Sequence, residues 1–119
     1  MLTNLIFLCL IFDKVVDSTS RLYVFDPQNS FDSPLFSRNI QSRQASFSLD
    51  TMLVSFSGFD IIEDKWQIYT YDFVYDNLNQ LTKAEFNVQN PIFSPNGKYI
   101  LYEETDSSSK SFLKMINWY

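Results

Sequence analysis

An internal repeat of 46 residues restricts the fold of this sequence more than any other feature. The stretches "QASFSLDTMLVSFSG" (44–58) and "NPIFSPNGKYILYEE" (90–104) align at this spacing. "RLYVFD" (21–26) and "QIYTYD" (67–72) align at the same spacing, and "FLKMIN" (112–117) is a weaker third copy. A period of this length predicts a fold built from similar units that pack side by side.

The best-defined part of the repeat is a hairpin turn between two apolar runs. Pro95 fixes φ near the value needed at the second position of a type I turn, and Asn96 tolerates the next position. Gly97 adopts a left-handed conformation without steric cost, which closes a short hairpin. We therefore interpret Ser94, Pro95, Asn96 and Gly97 as a structural turn.

Each period contains four short runs of aromatic and β-branched residues, separated by turn residues. Such runs favour β-strands, and four short strands in about 40 to 50 residues are typical of a β-propeller blade. The sequence therefore predicts an all-β fold of antiparallel four-stranded β-propeller blades. The expected strands are 5–12, 20–26, 34–38, 44–48, 52–57, 66–72, 79–82, 91–94, 98–104 and 111–117.

The blade motifs resemble the TolB-like propeller repeat, a relative of the WD repeat. That family's blade carries a P-x-[FW]-S-P-[DN]-G-[KR] hairpin, an I-[YF]-x-x-D strand and an L-T strand. The matching residues are Pro91, Phe93, Ser94, Pro95, Asn96, Gly97, Lys98, Ile68, Tyr69, Asp72, Leu81 and Thr82. The middle copy departs from the pattern, with Leu49 in place of Pro and Thr51 in place of Gly, so we expect another turn type or a weaker hairpin there.

The apolar run "LIFLCLIF" (5–12) has two interpretations. Its length fits the apolar region of a signal peptide, although no Lys or Arg precedes it and no small-x-small cleavage site follows. The repeat instead aligns Leu10 with Phe56, which predicts the second strand of a blade. Eight residues are too few to span a bilayer, which needs about 20.

The predicted strands begin inside one blade and stop inside another. We expect a partial propeller over residues 1–119, with a partial first blade (1–43), a second blade (44–89) and a partial third blade (90–119). Closed propellers contain about four to eight blades. The uncovered blade faces therefore favour a piece of a larger propeller, several copies in one ring, or an open stack covered by a partner.

The composition argues against most catalytic and metal-binding chemistry. The sequence has no His, two Gly and a single cysteine, Cys9, so His-based catalysis, glycine-rich phosphate loops and cysteine-based zinc sites are not expected. We predict no catalytic, cofactor-binding or metal-binding residues. The net charge of −5 also disfavours binding to nucleic acid or to an anionic membrane.

Two acidic segments are the remaining candidates for a functional surface. Asp60, Glu63 and Asp64 are predicted in the loop between the second and third strands of one blade, and Glu103 and Glu104 in the equivalent loop of the next. Neighbouring blades would present both loops on one face of the disc. They would form a contact patch for a basic partner or, alternatively, solvated turns that keep the protein soluble.

The resemblance implies a non-catalytic scaffold. TolB-like propellers are typically envelope or secreted proteins that bind other proteins through one face of the disc, which implies a periplasmic or extracellular location and a protein partner or further blades. The alternative is a fragment of the gating propeller of a prolyl-oligopeptidase-like peptidase. That alternative needs a G-x-S-x-G motif and a histidine, and the 119 residues contain neither.

Overall fold

The computed structural model describes residues 10–48 and 52–118, and all regular secondary structure in those ranges is β-strand. The part of the chain that the structure describes contains no helix of the length and apolarity needed to cross a membrane. The ten strands are β1 Leu10–Val16, β2 Thr19–Asp26, β3 Phe31–Pro34, β4 Ser42–Ser48, β5 Leu53–Asp60, β6 Lys65–Asp72, β7 Asn77–Gln80, β8 Asn87–Phe93, β9 Tyr99–Thr105 and β10 Ser111–Asn117.

The strands form three antiparallel sheets in which neighbours along the chain pair with each other. Sheet 1 has the order β1-β2-β3, sheet 2 the order β4-β5-β6-β7, and sheet 3 the order β10-β9-β8. Hairpins connect strands within a sheet because antiparallel neighbours need only short turns. The prediction of an all-β, antiparallel fold is confirmed, whereas the blade limits at 43/44 and 89/90 remain predictions.

Sheet 2 lies between the other two sheets and shares an apolar core with each. Successive side chains of a strand point to opposite faces of its sheet. In sheet 2, one face therefore packs against sheet 1 and the other against sheet 3. The core between sheets 1 and 2 contains Leu22, Leu35, Phe36, Val54, Phe56, Tyr69 and Tyr71. The core between sheets 2 and 3 contains Ile68, Val88, Phe93 and Ile100. Sheet 1 and sheet 3 therefore each keep one outer face.

The register of β1 differs from the predicted alignment by two residues. The repeat placed Leu10 at the position of Phe56, which opposes Tyr69 in sheet 2. In sheet 1 the residue opposite Tyr23, the equivalent of Tyr69, is Phe12. The prediction for Leu10 was therefore wrong by two positions. A shift of two residues leaves each side chain of β1 on the predicted face of the sheet.

The shift comes from the length of one hairpin. The β1–β2 turn contains only residues 17–18, whereas the equivalent β5–β6 turn contains residues 61–64. Residues 10–16 form a strand, as the repeat predicts. Residues 5–9 lie outside the described ranges, so the choice between a strand and a signal peptide stays open there.

Other strand limits also differ from the predictions, and β8, for example, begins at Asn87 rather than at residue 91. β3 covers Phe31–Pro34 rather than 34–38. The turn after Asp26 is short, so pairing with β2 starts already at Phe31. Residues 35–38 belong to the connection to sheet 2. β7 ends at Gln80, so Leu81 and Thr82 follow the strand rather than form its end.

Non-glycine residues occupy most of the left-handed backbone positions in the described ranges. Apart from glycine, Asn and Asp adopt this conformation most readily. The residues with positive φ are Asp17, Ser18, Ser30, Gln44, Met52, Asp64, Asp76, Asn90 and Ser109, together with Gly97 at +74°. These residues occupy turn and bulge positions that glycine often takes in other proteins. The departures at Leu49 and Thr51 lie outside the described residues.

Candidate partner-binding surface

The polar groups of the turn at residues 94–97 form hydrogen bonds within the protein. Gly97 N–H donates to the Ser94 carbonyl at 2.9 Å, and Ser94 Oγ donates to Asn96 Oδ1 at 2.6 Å. Trp118 Nε1–H donates to the Gly97 carbonyl at 3.0 Å. These contacts support a structural role for Ser94, Pro95, Asn96 and Gly97.

Asp60 closes the β5–β6 hairpin. Its Oδ1 accepts from Ile62 N–H at 3.0 Å and Glu63 N–H at 3.3 Å, and its Oδ2 accepts from Gln80 Nε2 at 3.2 Å. Loss of hydration raises the pKa of the Asp60 carboxyl, but these hydrogen bonds outweigh it and hold the pKa below its ordinary value. Asp60 therefore supports the hairpin and has little capacity left for a partner.

The tip of the same hairpin exposes two large apolar side chains. Ile61 is 82% and Ile62 88% exposed, while Glu63 and Asp64 beside them are also exposed. Isoleucine is strongly depleted from exposed turns because its burial contributes about 1.5–3 kcal/mol. We call residues 61–64 the apolar-acidic tip. The sequence analysis missed the two isoleucines, although a β-branched pair inside the charged turn "DIIEDK" was visible.

The second acidic segment lies elsewhere than predicted. Glu103 and Glu104 belong to β9, as the predicted strand over 98–104 requires, so their assignment to the following loop was wrong. The strand continues because both residues pair with β10 and β8. As neighbours they point to opposite faces: Glu103 Oε1 accepts from Asn90 Nδ2 at 2.7 Å, and Glu104 lies 3.6 Å from Lys114 Nζ. The structure therefore does not join these carboxylates to the apolar-acidic tip.

A second exposed apolar pair lies at the other end of sheet 2. Val74 is 61% and Tyr75 80% exposed in the β6–β7 turn. In an antiparallel sheet, successive hairpins fall at opposite ends of the strands. The β5–β6 tip and the β6–β7 turn are therefore separated by the length of β6, and the second offers a control for the first.

Trp66 contributes to packing near the β5–β6 hairpin. Its ring packs edge-on against Phe59 with centroids 5.4 Å apart, and the Arg43 guanidinium lies 3.9 Å above it. Within residues 10–48 and 52–118 no cluster of three His, Cys, Asp or Glu side chains is arranged to hold a metal ion. Cys9 lies outside those ranges.

Comparison with solved structures finds TolB proteins among the chains of similar fold. A protein from Agrobacterium tumefaciens assigned as TolB superposes with a TM-score of 0.79 at 17% identity, over 92% of this chain and 39% of that one. TolB from Acinetobacter baumannii superposes with a TM-score of 0.74 at 13% identity, over 93% of this chain and 27% of that one. No protein-family model and no curated protein matches the sequence.

The chain has the fold of a TolB-like β-propeller. Similarity at this identity establishes the fold alone. The chain spans less than half the length of each of the two TolB structures, and its described residues form three sheets that do not close into a ring.

Proposed function

We propose that this TolB-like chain is a non-catalytic interaction scaffold, and that the apolar-acidic tip binds a protein partner. The observation that carries the proposal is the exposure of Ile61 and Ile62 at 82% and 88%. Asp60 and the short β5–β6 turn hold the hairpin in place, so the two side chains are presented from a fixed backbone. Rigid presentation lowers the entropy lost on binding.

The chemistry of the tip defines the expected partner. Two isoleucine side chains fit an apolar pocket, and Glu63 and Asp64 beside them complement a rim of Lys or Arg. The net charge of −5 favours the same kind of partner and disfavours nucleic acid. We further propose a periplasmic or extracellular location, which rests on the resemblance to TolB-like propellers.

Site-specific crosslinking tests the proposal. A photoreactive residue at Ile62 is expected to crosslink to one partner in cells of the source organism, whereas the same residue at Tyr75 is not. Ile61→Ser with Ile62→Ser should abolish the crosslink from Glu63, and Val74→Ser with Tyr75→Ser should leave it intact. Equal crosslinking from both ends of the sheet, or none from Ile62, would show that the tip is not the binding site.

The charge of the tip is tested separately. Glu63→Lys with Asp64→Lys should weaken binding of the crosslinked partner, and the loss should shrink as salt screens the rim charges. If neither the charge reversal nor the change in salt affects binding, the acidic residues do not contribute to the contact and only the two isoleucines do. The alternative function as part of a peptidase's gating propeller stays a prediction, supported if the gene also encodes a hydrolase with G-x-S-x-G and a histidine.

A further inference from the structure

The turn between β8 and β9 contains the one Asn-Gly dipeptide of the sequence, Asn96–Gly97. Asparagine before glycine is prone to deamidation, because glycine has no side chain to hinder attack by its backbone nitrogen on the asparagine amide. In this reaction the Gly97 nitrogen loses its proton and bonds to Asn96 Cγ, and the Cγ–Nδ2 bond breaks to release ammonia. A five-membered succinimide ring remains, and water opens it to aspartate or isoaspartate.

The turn holds Asn96 in a conformation that this ring cannot adopt. Gly97 N–H donates to the Ser94 carbonyl at 2.9 Å, Pro95 takes the second position, and the φ of Asn96 is not positive, as in a type I turn. The third residue of a type I turn has a ψ of about 0°. A planar succinimide ring eclipses Cβ with the Gly97 nitrogen, which requires a ψ of about 120° in magnitude at a tetrahedral Cα. Ring closure at Asn96 therefore requires the turn to open.

The hydrogen bonds of the reacting groups oppose the same step. The bond from Gly97 N–H to the Ser94 carbonyl is lost in the ring, because an imide nitrogen carries no hydrogen. Asn96 Oδ1 accepts from Ser94 Oγ–H at 2.6 Å and from Lys98 N–H at 3.0 Å. Rotation about ψ of Asn96 moves the Lys98 N–H away from this oxygen. Gly97 is also buried, so water has little access to the proton that its nitrogen must lose.

A residue that follows β10 stabilises the turn from outside the hairpin. Trp118 Nε1–H donates to the Gly97 carbonyl at 3.0 Å, and the Trp118 ring packs edge-on against Phe93 with centroids 6.0 Å apart. The Gly97 carbonyl lies in the same residue as the reacting nitrogen, so opening of the turn displaces this acceptor from the indole. The packing of Trp118 on sheet 3 and the reactivity of Asn96 are therefore coupled.

We propose that Asn96 is a site of spontaneous deamidation, that the folded β8–β9 turn suppresses the reaction, and that the Trp118 contact contributes to this protection. The reaction then proceeds only from those molecules in which the turn has opened locally. The rate in the folded chain is the rate in the unfolded chain multiplied by the open fraction. This modification is independent of partner binding at the apolar-acidic tip.

The two products affect the hairpin differently. Aspartate at position 96 keeps a side-chain oxygen as acceptor for the Lys98 N–H. Isoaspartate instead carries the main chain through Cβ and Cγ, which adds a carbon atom to the backbone of the turn. The longer backbone disrupts the hydrogen bond between Ser94 and Gly97 and moves the acceptor of Trp118. Because the change is covalent, refolding does not restore the original turn.

The deamidation rate of the full 119-residue chain provides the test. Samples are kept at one mildly alkaline pH with and without guanidinium chloride and are then digested. Mass spectrometry measures deamidation of the peptide that contains Asn96–Gly97, and an isoaspartate-specific methyltransferase measures the isoaspartate. We expect the folded chain to react more slowly than the unfolded chain by about tenfold or more. Equal rates in the two samples would overturn the proposal.

A pair of tryptophan variants tests the role of Trp118. Trp118→Phe keeps a ring beside Phe93 but removes the N–H donor, and should raise the rate in the folded chain by about threefold or more. Trp66→Phe is the matched control, because Trp66 contacts Asn87 at the start of β8, whereas the turn follows the end of that strand. The control should react at the wild-type rate, and all three chains should react equally in guanidinium chloride.

A second variant keeps the test valid if circular dichroism shows that Trp118→Phe does not fold. Ser94→Ala removes the Oγ–H donor to Asn96 Oδ1 and should also accelerate the reaction in the folded chain. A folded Trp118→Phe chain that deamidates no faster than Trp66→Phe, or a Ser94→Ala chain that deamidates no faster than the wild type, would overturn the proposal.

Discussion

At the residue scale, single side chains set limits on packing that their type alone does not show. Gly58 is buried in β5, and a Cβ built on it would lie 2.5 Å from Tyr69 Cδ1 and 3.2 Å from Phe56 Cε2. These two rings stack with centroids 5.5 Å apart. Gly58 is thus required by the close approach of a ring, whereas Gly97 takes up a positive φ of +74° that strains any other residue.

Gly58→Ala is expected to lower the free energy of unfolding by about 1–3 kcal/mol, because the added methyl group displaces the Tyr69 ring from a filled core. Urea denaturation of both proteins measures the change. The same substitution in a Tyr69→Leu background should cost clearly less, since the clashing atoms are gone. Equal costs in the two backgrounds would disprove the steric explanation.

A phenol at the edge of the first core makes stability depend on pH. Burial, and donation of its hydroxyl to Asp76 Oδ1 at 2.7 Å, raise the pKa of Tyr71 from 10.0 to about 12. A raised pKa means that the stabilisation is complete below the unfolded value and is lost as the pH rises through the folded value. We expect stability to fall between about pH 10 and pH 12.

Thermal unfolding midpoints measured across that range test this expectation. Tyr71→Phe should flatten part of the decrease, while Tyr75→Phe, at a phenol that is 80% exposed, should leave the profile unchanged. A profile of Tyr71→Phe identical to that of the wild type would assign the decrease to other groups.

At the element scale, the end of β7 is joined to β6 by a buried polar network. Thr82 Oγ1 accepts from Ile68 N–H at 2.9 Å and donates to Gln67 Oε1 at 2.6 Å. Gln67 also contacts both backbone groups of Ala84. Leu81 N–H donates to the Ile68 carbonyl, as Leu35 N–H does to that of Leu22 one repeat earlier. The L-T motif, Leu81 and Thr82, therefore fixes the end of the blade to β6 through buried hydrogen bonds.

Thr82→Val is expected to destabilise the chain by about 1–3 kcal/mol, because it removes the acceptor of the buried Ile68 N–H and one of the two donors to Gln67 Oε1 while keeping the shape of the side chain. Thr105→Val is the matched control, since its hydroxyl makes an exposed contact with Ser111. Chemical denaturation compares the two. If Thr105→Val lowers the free energy of unfolding as much as Thr82→Val does, the buried hydrogen bonds of Thr82 are not the cause.

At the scale of the whole molecule, the link between sheets 1 and 2 is also part of their shared core. Phe36 is 5% exposed, and its ring centroid lies 5.3 Å from those of both Phe56 and Tyr71. Arg38 continues the link with an ion pair to Asp76 at 3.0 Å. Packing between sheets, rather than any single sheet, therefore accounts for the stability of the stack.

Phe36→Ala should lower the free energy of unfolding by about 3–5 kcal/mol through the cavity left between the two sheets. Phe31→Ala, at an exposed phenylalanine of β3, should cost well under half as much. Urea denaturation followed by far-UV circular dichroism measures both costs. Similar costs for the two variants would contradict the central role of Phe36.

Much of this architecture follows from local patterns. Alternating apolar residues, the turn chemistry of Pro95, Asn96 and Gly97, and carboxylates such as Asp26 and Asp72 act within a few residues of themselves. Asp72 Oδ1 accepts from Val74 N–H at 2.8 Å, and Asp26 Oδ1 from Gln28 N–H at 2.9 Å, as expected for residues that cap turns. Because these features depend on residues close together in the chain, the sequence alone predicts the strands, the hairpins and the TolB-like repeat.

The errors concern the pairing and packing of strands rather than the backbone preference of single segments. The register of β1 depends on which residue meets Tyr23 across a turn of unforeseen length, and Glu103 is a strand residue because two neighbouring strands pair with it. The exposure of Ile62 and the burial of Gly58 under Tyr69 depend on how the sheets stack. Short-range backbone preferences can be read from one chain segment. Register depends in addition on the exact length of each turn, and burial depends on sheets whose residues are far apart in sequence.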